Sequence, residues 1–307
     1  MEQTTAKKNK YEIDMCNGTI MDKLISFSLP LMLSGILQLM FNAVDIIVVG
    51  RFSGSQALAA VGSTSALINV FTNLFIGISL GANVLTARFY AAGREKEVSE
   101  TVHTAITLAL VSGIVMALVG LVFSKGALAL MGTPDDVIGL SALYMRIYFL
   151  GMPFFMLYNY GAAILRAVGD TKRPLLFLMI AGVINACLNM VLVIVFKLGV
   201  AGVAIATVIS QMISCVLVLR CLYRSESSYR LRFSELGMKG YYLKQIFSVG
   251  VPAGIQSTVI NFSNVLLQSS VNSFGSTAMA GYTAANNLLG FLYVSVNSIT
   301  QACMSFT

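Results

Sequence analysis

From Gln245 to Thr307 the chain carries no charged residue. An ordinary soluble domain does not leave so long a stretch uncharged, because roughly a quarter of its residues are charged. The run is long enough for two membrane-crossing helices of about 20 residues each. The whole chain follows suit: 57% of its 307 residues are hydrophobic and 11% charged. That balance points to an all-α membrane protein, a polytopic helical bundle. It excludes an ordinary soluble enzyme, a disordered chain and a nucleic-acid binder.

Eight spans are expected, at about 24–49, 57–87, 101–124, 137–165, 174–196, 198–219, 246–270 and 278–303. Membrane strands are too short, at about ten residues, to account for runs of this length. The first span is not a cleaved signal peptide. Its apolar region exceeds the usual ~7–15 residues, holds Pro30 and Asp45, and runs into Gly50-Arg51.

Lys and Arg exceed Asp and Glu by 20 to 13. In a membrane protein this excess reports topology. With eight spans and the N-terminus inside, Lys7, Lys8, Lys10, Lys23, Arg88, Arg94, Lys96, Arg166, Lys172, Arg173 and the basic residues of 220–244 share one side; Arg51, Lys125 and Lys197 fall on the other. The asymmetry places the N-terminus in the cytoplasm. Cys16, Cys187, Cys215, Cys221 and Cys303 are scattered, with no paired spacing, so neither a disulfide framework nor a zinc site is expected. His103 is the only histidine. No resident metal and no cofactor are expected.

The seventh span resembles the first. LISFSLPLMLSGILQLMFNAVD aligns with IFSVGVPAGIQSTVINFSNVLL, pairing Ser26 with Ser248, Pro30 with Pro252 and Asn42 with Asn264. After one deletion, GSQALAAVG aligns with GSTAMAGYT. Six spans, an even number, make up the first unit, so the two units are parallel repeats, which place substrate sites between halves near the midplane. The expected organisation is a cytoplasmic tail 1–22, a first lobe 23–219 with helices 1–6, a cytoplasmic linker 220–244, and the start of a second lobe, 245–307, with helices 7–8. The second lobe reads as incomplete, a fragment of a protein of about twelve spans that lacks roughly 140–150 residues by the repeat logic.

Ionisable groups inside a span are costly and point to function. Asp45 is the one acid inside a span, and Gln38, Asn42 and Asp45 are spaced to share a helix face. A carboxylate taken out of water favours its neutral form and can take up a proton; with neighbouring amide oxygens it can equally bind sodium. The bland alternative is a structural carboxylate paired with Arg146, itself in a span. Asn185 and Asn189 are four apart on the fifth span, Asn69 and Asn73 on the second, and Asn261, Asn264 and Gln268 share a face of the seventh. Each set serves equally well as interhelical hydrogen bonding. The 16 Met, 18 Phe and 12 Tyr suit flat organic cations and are also ordinary membrane-core residues.

The stretch FNAVDIIVVGRFSGSQALAAVG (41–62), the loop LRAVGDTKRP (165–174), GVAGVAIATVISQ (199–211) and GVPAGIQ (250–256) resemble the multidrug and toxic compound extrusion family, the MATE transporters, over about residues 20–307. The resemblance implies two six-helix lobes and export of cationic or amphipathic drugs in exchange for sodium or protons, from a bacterial plasma membrane, by a monomer. It implies ion coupling at Asp45, Asn185 and Asn189, with transient sodium at Asp45. Asn189 falls where many prokaryotic members carry Asp, and the seventh span lacks an acid that some members have there. Gln38, Asn42 and Asn264 are expected to line the substrate path. The chain has no GxxxxGK[ST] phosphate loop, so drive by nucleotide is not expected. An intramembrane enzyme would need a nucleophile–base pair or paired acids, which one Asp and one His do not provide. The nearest rival is a flippase of a lipid-linked oligosaccharide, which would call for a more cationic cavity than Arg146 alone provides.

Overall fold

A computed structural model of the chain describes residues 19–130, 135–272 and 276–306. Among these the elements are helical: α1 Ile20–Phe52, α2 Ser55–Ala91, α3 Glu95–Leu130, α4 Asp135–Leu150, α5 Met152–Ala167, α6 Lys172–Met190, α7 Gly199–Tyr223, α8 Gly240–Asn272 and α9 Ser276–Phe306. In hydrocarbon every backbone N–H and C=O must find a partner inside the chain, and a helix achieves this within one segment. The 33 residues of α1 reach about 50 Å at 1.5 Å per residue. That exceeds a hydrocarbon core of ~30 Å, so the long helices carry their ends into the headgroup region.

Seven of the eight expected spans lie on single helical runs. The exception is 137–165, which divides into α4 and α5 with a bend of 48°. Gly151 sits at the break, donating its N–H to Tyr148 O at 2.9 Å. Pro153 follows in the first turn of α5, where its missing N–H does no harm. Both flanks are apolar, so hydropathy runs through the bend without a mark. Exposed Leu118, Val122, Phe123 and Val183 form outward apolar faces, and Met145, Phe149, Met152, Met156 and Tyr160 are buried.

Two turns at the basic end of the bundle rely on left-handed backbone. Gly93, with φ 66°, links α2 to α3, and Gly169, with φ 89°, links α5 to α6. Beyond Gly169, Asp170 is fully buried. It accepts the Arg173 backbone N–H at 3.1 Å and pairs with Arg173 Nε at 2.9 Å.

α8 lies along α2, and α9 along α1. The α2–α8 crossing is made by glycines on both sides. A Cβ on Gly250 would lie 2.5 Å from Ile78 Cα and 2.9 Å from Ile78 O; one on Gly254 would lie 2.6 Å from Leu74 O. Gly77 and Gly81 face the same crossing from α2. Small residues of this kind let helix backbones touch in a membrane, where packing rather than water exclusion drives association. Nearby, Ser305 Oγ donates to Asn83 Oδ1 at 3.1 Å, and Phe27, Leu31 and Ala302 bury one another. Between α7 and α8 the chain folds back on the bundle, with Tyr229 and Leu231 fully buried.

Candidate functional site

Three helices contribute to one buried polar knot. α1 supplies Asp45, α6 supplies Asn185 and Asn189, and α7 supplies Thr207. Asp45 is 9%, Asn185 6% and Asn189 0% exposed. Asn189 Nδ2 donates to Asp45 Oδ1 and to Asn185 Oδ1 at 3.1 Å. Asn185 Nδ2 donates in turn to Thr207 Oγ1 at 3.4 Å. The Thr207 hydroxyl bonds Val203 O at 2.9 Å and lies within hydrogen-bonding reach of the Asp45 carboxylate. The i, i+4 spacing of the asparagines places both amides on one face of α6.

One atom of the knot is left over. Asn189 Oδ1 is buried and has no hydrogen-bond partner among the described residues. Leaving a buried acceptor unpaired costs about 1–3 kcal/mol. Just beyond Asn189, residues Val191–Val195 widen into a π turn, closed by Phe196 N–H to Val191 O at 3.1 Å and Leu198 N–H to Leu192 O at 3.0 Å. Lys197, with φ 52°, takes the left-handed position that ends this helix. Single π turns recur at functional sites because they redirect a helix without breaking it.

Aromatic residues of α4 border the knot. Tyr144 and Tyr148 stack at 6.1 Å between ring centroids, and both lie close enough to Asp45 to feel its charge. Gln211 of α7 lies within hydrogen-bonding reach of Tyr148. The oxygens of Asp45, Thr207, Asn185 and Asn189 form a hard donor set, which suits an alkali or alkaline-earth cation; the carboxylate alone suits a proton. No group of three His, Cys, Asp or Glu side chains that could hold a metal occurs among the described residues.

Of the residues expected from sequence, Asp45, Asn185 and Asn189 come together. Gln38 and Asn42 do not join them: both are exposed. An apolar stripe is wide, and at Phe41 α1 already meets Gly182 of α6, which leaves the two amides on the open flank. The Asn264, Asn261 and Gln268 side chains lie outside the described residues. Asp45 finds its partners in Asn189 and Thr207, whereas Arg146 points outward and is exposed. Asn69 is exposed too. Thr207, Tyr144, Tyr148 and Gln211 were not anticipated. The one signal for Thr207 is a hydroxyl in the otherwise apolar run GVAIATVI (202–209).

A family model described as MatE matches residues 30–191, more than half of the chain. The chain belongs to the MATE family. Among MATE relatives, the probable multidrug resistance protein YoeA of Bacillus subtilis is 36% identical over 91% of this chain and 62% of its own length. The multidrug export protein MepA of Staphylococcus aureus is 24% identical over 87% of this chain and 59% of its own. The chain thus spans about three-fifths of the length of these curated relatives. These MATE relatives are described as transporters or resistance proteins, not as enzymes. A multidrug resistance MATE family transporter solved in an outward-facing conformation superposes with a TM-score of 0.90 at 22% identity, over 98% of this chain and 67% of that one. A MOP superfamily transporter from Pyrococcus furiosus, whose reversed pocket polarity was taken to suggest a different function, superposes at 0.89. These likenesses show the fold: a helical, multi-pass membrane protein.

Proposed function

We propose that the chain forms part of a secondary active multidrug exporter, which drives out organic cations or amphipathic drugs in exchange for a monovalent cation bound at Asp45. The observation that carries this reading is the buried knot, and within it the unpartnered Asn189 Oδ1. Turning the Asn189 amide would give that oxygen, with the Asp45 carboxylate and the Thr207 hydroxyl, to a dehydrated sodium ion. Protonation of Asp45 is the alternative coupling step. The multidrug resistance and export roles of the relatives support drug export. The crossed packing of α1 with α9 and α2 with α8 supports two parallel lobes, 23–219 and 245–307, joined by the linker 220–244. The basic residues of the linker and of the Gly93 and Gly169 turns support a cytoplasmic N-terminus, and the bacterial sources of the relatives support a bacterial plasma membrane.

Energetics permit this without nucleotide. One monovalent charge crossing 100 mV supplies about 2.3 kcal/mol, enough for a gradient of roughly fifty-fold. The test is efflux of ethidium from cells that carry the full-length protein, with Asp45→Asn alongside and sodium and proton gradients imposed separately. Loss of gradient-driven efflux in the variant at equal expression supports the reading, and the gradient that drives the wild type names the ion. Unchanged efflux in Asp45→Asn removes Asp45 from the coupling step.

A further inference from the structure

His103 stands far from the ion knot, at the basic end of α3, and is 4% exposed. Its two ring nitrogens have partners of opposite kind. Nδ1 lies 2.6 Å from Ser99 O, which can only accept, so Nδ1 carries the proton. Nε2 lies 3.0 Å from the backbone N–H of Arg232, which can only donate, so Nε2 is bare. These partners select the neutral imidazole in one tautomer.

The bond to Arg232 crosses from α3 to the segment that joins α7 to α8. Around it stand Glu235, whose Oε2 is 4.0 Å from Nε2; the Arg232 guanidinium, 2.8 Å from Glu235 Oε1; and Lys239, paired with Glu100 at 2.6 Å. Lys239 also gives its backbone N–H to Thr104 Oγ1 at 3.4 Å. From α8, Tyr242 hydrogen-bonds Glu100, and Lys96 acts on Glu100 from the first turn of α3. The charges around this contact are the carboxylates Glu235, Glu100 and Glu97 and the cations Arg232, Lys239 and Lys96. Tyr229 and Leu231, fully buried, anchor the segment's near end. The backbone bond at Nε2 is what fixes its middle.

We propose that His103 is a pH-operated latch that holds residues 229–239 against the start of α3. An imidazole changes charge between about pH 5 and 8. A proton added at Nε2 turns the acceptor into a donor facing another donor. The Arg232 N–H then loses its acceptor and faces the new Nε2–H, while Glu235 keeps Oε1 on the Arg232 guanidinium and offers Nε2 only Oε2, 4.0 Å away and beyond hydrogen-bonding distance. A partly exposed ion pair at that separation contributes little, less than is lost when the Arg232 N–H is left facing a donor, so acid loosens the segment. The latch acts on the connection between the two sets of helices and does not depend on what the protein transports.

The experiment is hydrogen exchange on the purified full-length protein in detergent at pH 7.5 and 5.5, corrected for the intrinsic pH dependence of exchange. Protection at Arg232 and its neighbours falls tenfold or more on acidification of the wild type. In His103→Gln it changes less than twofold, because the Gln carbonyl oxygen reaches the place of Nε2 and does not titrate. A parallel titration of the His103 ring nitrogens by NMR has its midpoint at the exchange transition. Protection in the wild type that ignores pH overturns the latch, as does an equal fall in His103→Gln. Should that variant fail to fold, a ring titration whose midpoint departs from the wild-type exchange transition overturns it as well.

Discussion

Gly250→Ala tests the α2–α8 crossing with a single methyl group. The added carbon would lie 2.5 Å from Ile78 Cα and 3.1 Å from Gly77 O. Carbon atoms pack comfortably at about 3.5–4.0 Å, and these neighbours are backbone, so no rotamer change relieves the overlap. The helices must part by about 1 Å, and overpacking of this kind costs about 1–3 kcal/mol. Alanine also gains up to about 1 kcal/mol of helix propensity over glycine, which masks part of the loss. Gly62→Ala supplies the control. It adds the same methyl to α2 where nothing lies within 4 Å, so it shares the propensity gain without the clash. The difference between the two variants isolates the crossing. At roughly 2–4 °C per kcal/mol, thermal melting of the full-length protein in detergent should place Gly250→Ala about 3–10 °C below Gly62→Ala. Equal melting temperatures would refute the close glycine crossing.

Asn189→Leu removes a charge-assisted hydrogen bond to Asp45, worth about 1.5–3 kcal/mol; ion-stimulated efflux should then need roughly ten- to a hundredfold more of the coupling ion, read from its concentration dependence. Asp170→Ala leaves Arg173, 17% exposed, without its buried partner, a change that costs about 3–5 kcal/mol; a sharp drop in melting temperature and in folded yield is expected. The Glu100 carboxyl is held below its usual 4.5, chiefly by hydrogen bonds from Lys239 and Tyr242. Its contribution is therefore complete above that value and lost as pH falls through the lowered one. Exchange at Lys239 should rise in this acid range, separately from any transition at His103.

Much of the fold was legible because hydrocarbon imposes a simple demand: long apolar runs must be helices. The same logic made Asp45 visible, since a charge is conspicuous where nearly everything else is apolar, and the four-residue spacing of Asn185 and Asn189 marked one face of their helix. The partners that complete the site were not legible. Thr207 is a common residue in a run of small ones, and its role depends on how α7 sits against α6. The sharing of a face by Gln38, Asn42 and Asp45 followed from helix geometry, but which part of that face is covered depends on neighbours that spacing does not reveal. The bend at Gly151 hid for a similar reason. His103 was evident as a lone histidine, and its partner Arg232 lies 129 residues away, beyond the reach of local pattern.

The glycine crossing also sets a mechanical scale. From Gly77 to the start of α2 at Ser55 is about 33 Å of helix at 1.5 Å per residue. The backbones touch at Gly77 and Gly81, beyond the middle of α2, with Phe89 and Tyr242 edge to face on the shorter side, so the two helices resemble shears pinned past mid-length. A swing of about 10° at the pin carries the far tip of α2 through roughly 6 Å over that arm, a distance comparable to the width of an aromatic ring. Displacements large enough to admit or release a flat molecule at the far end therefore need almost no rearrangement where the backbones touch.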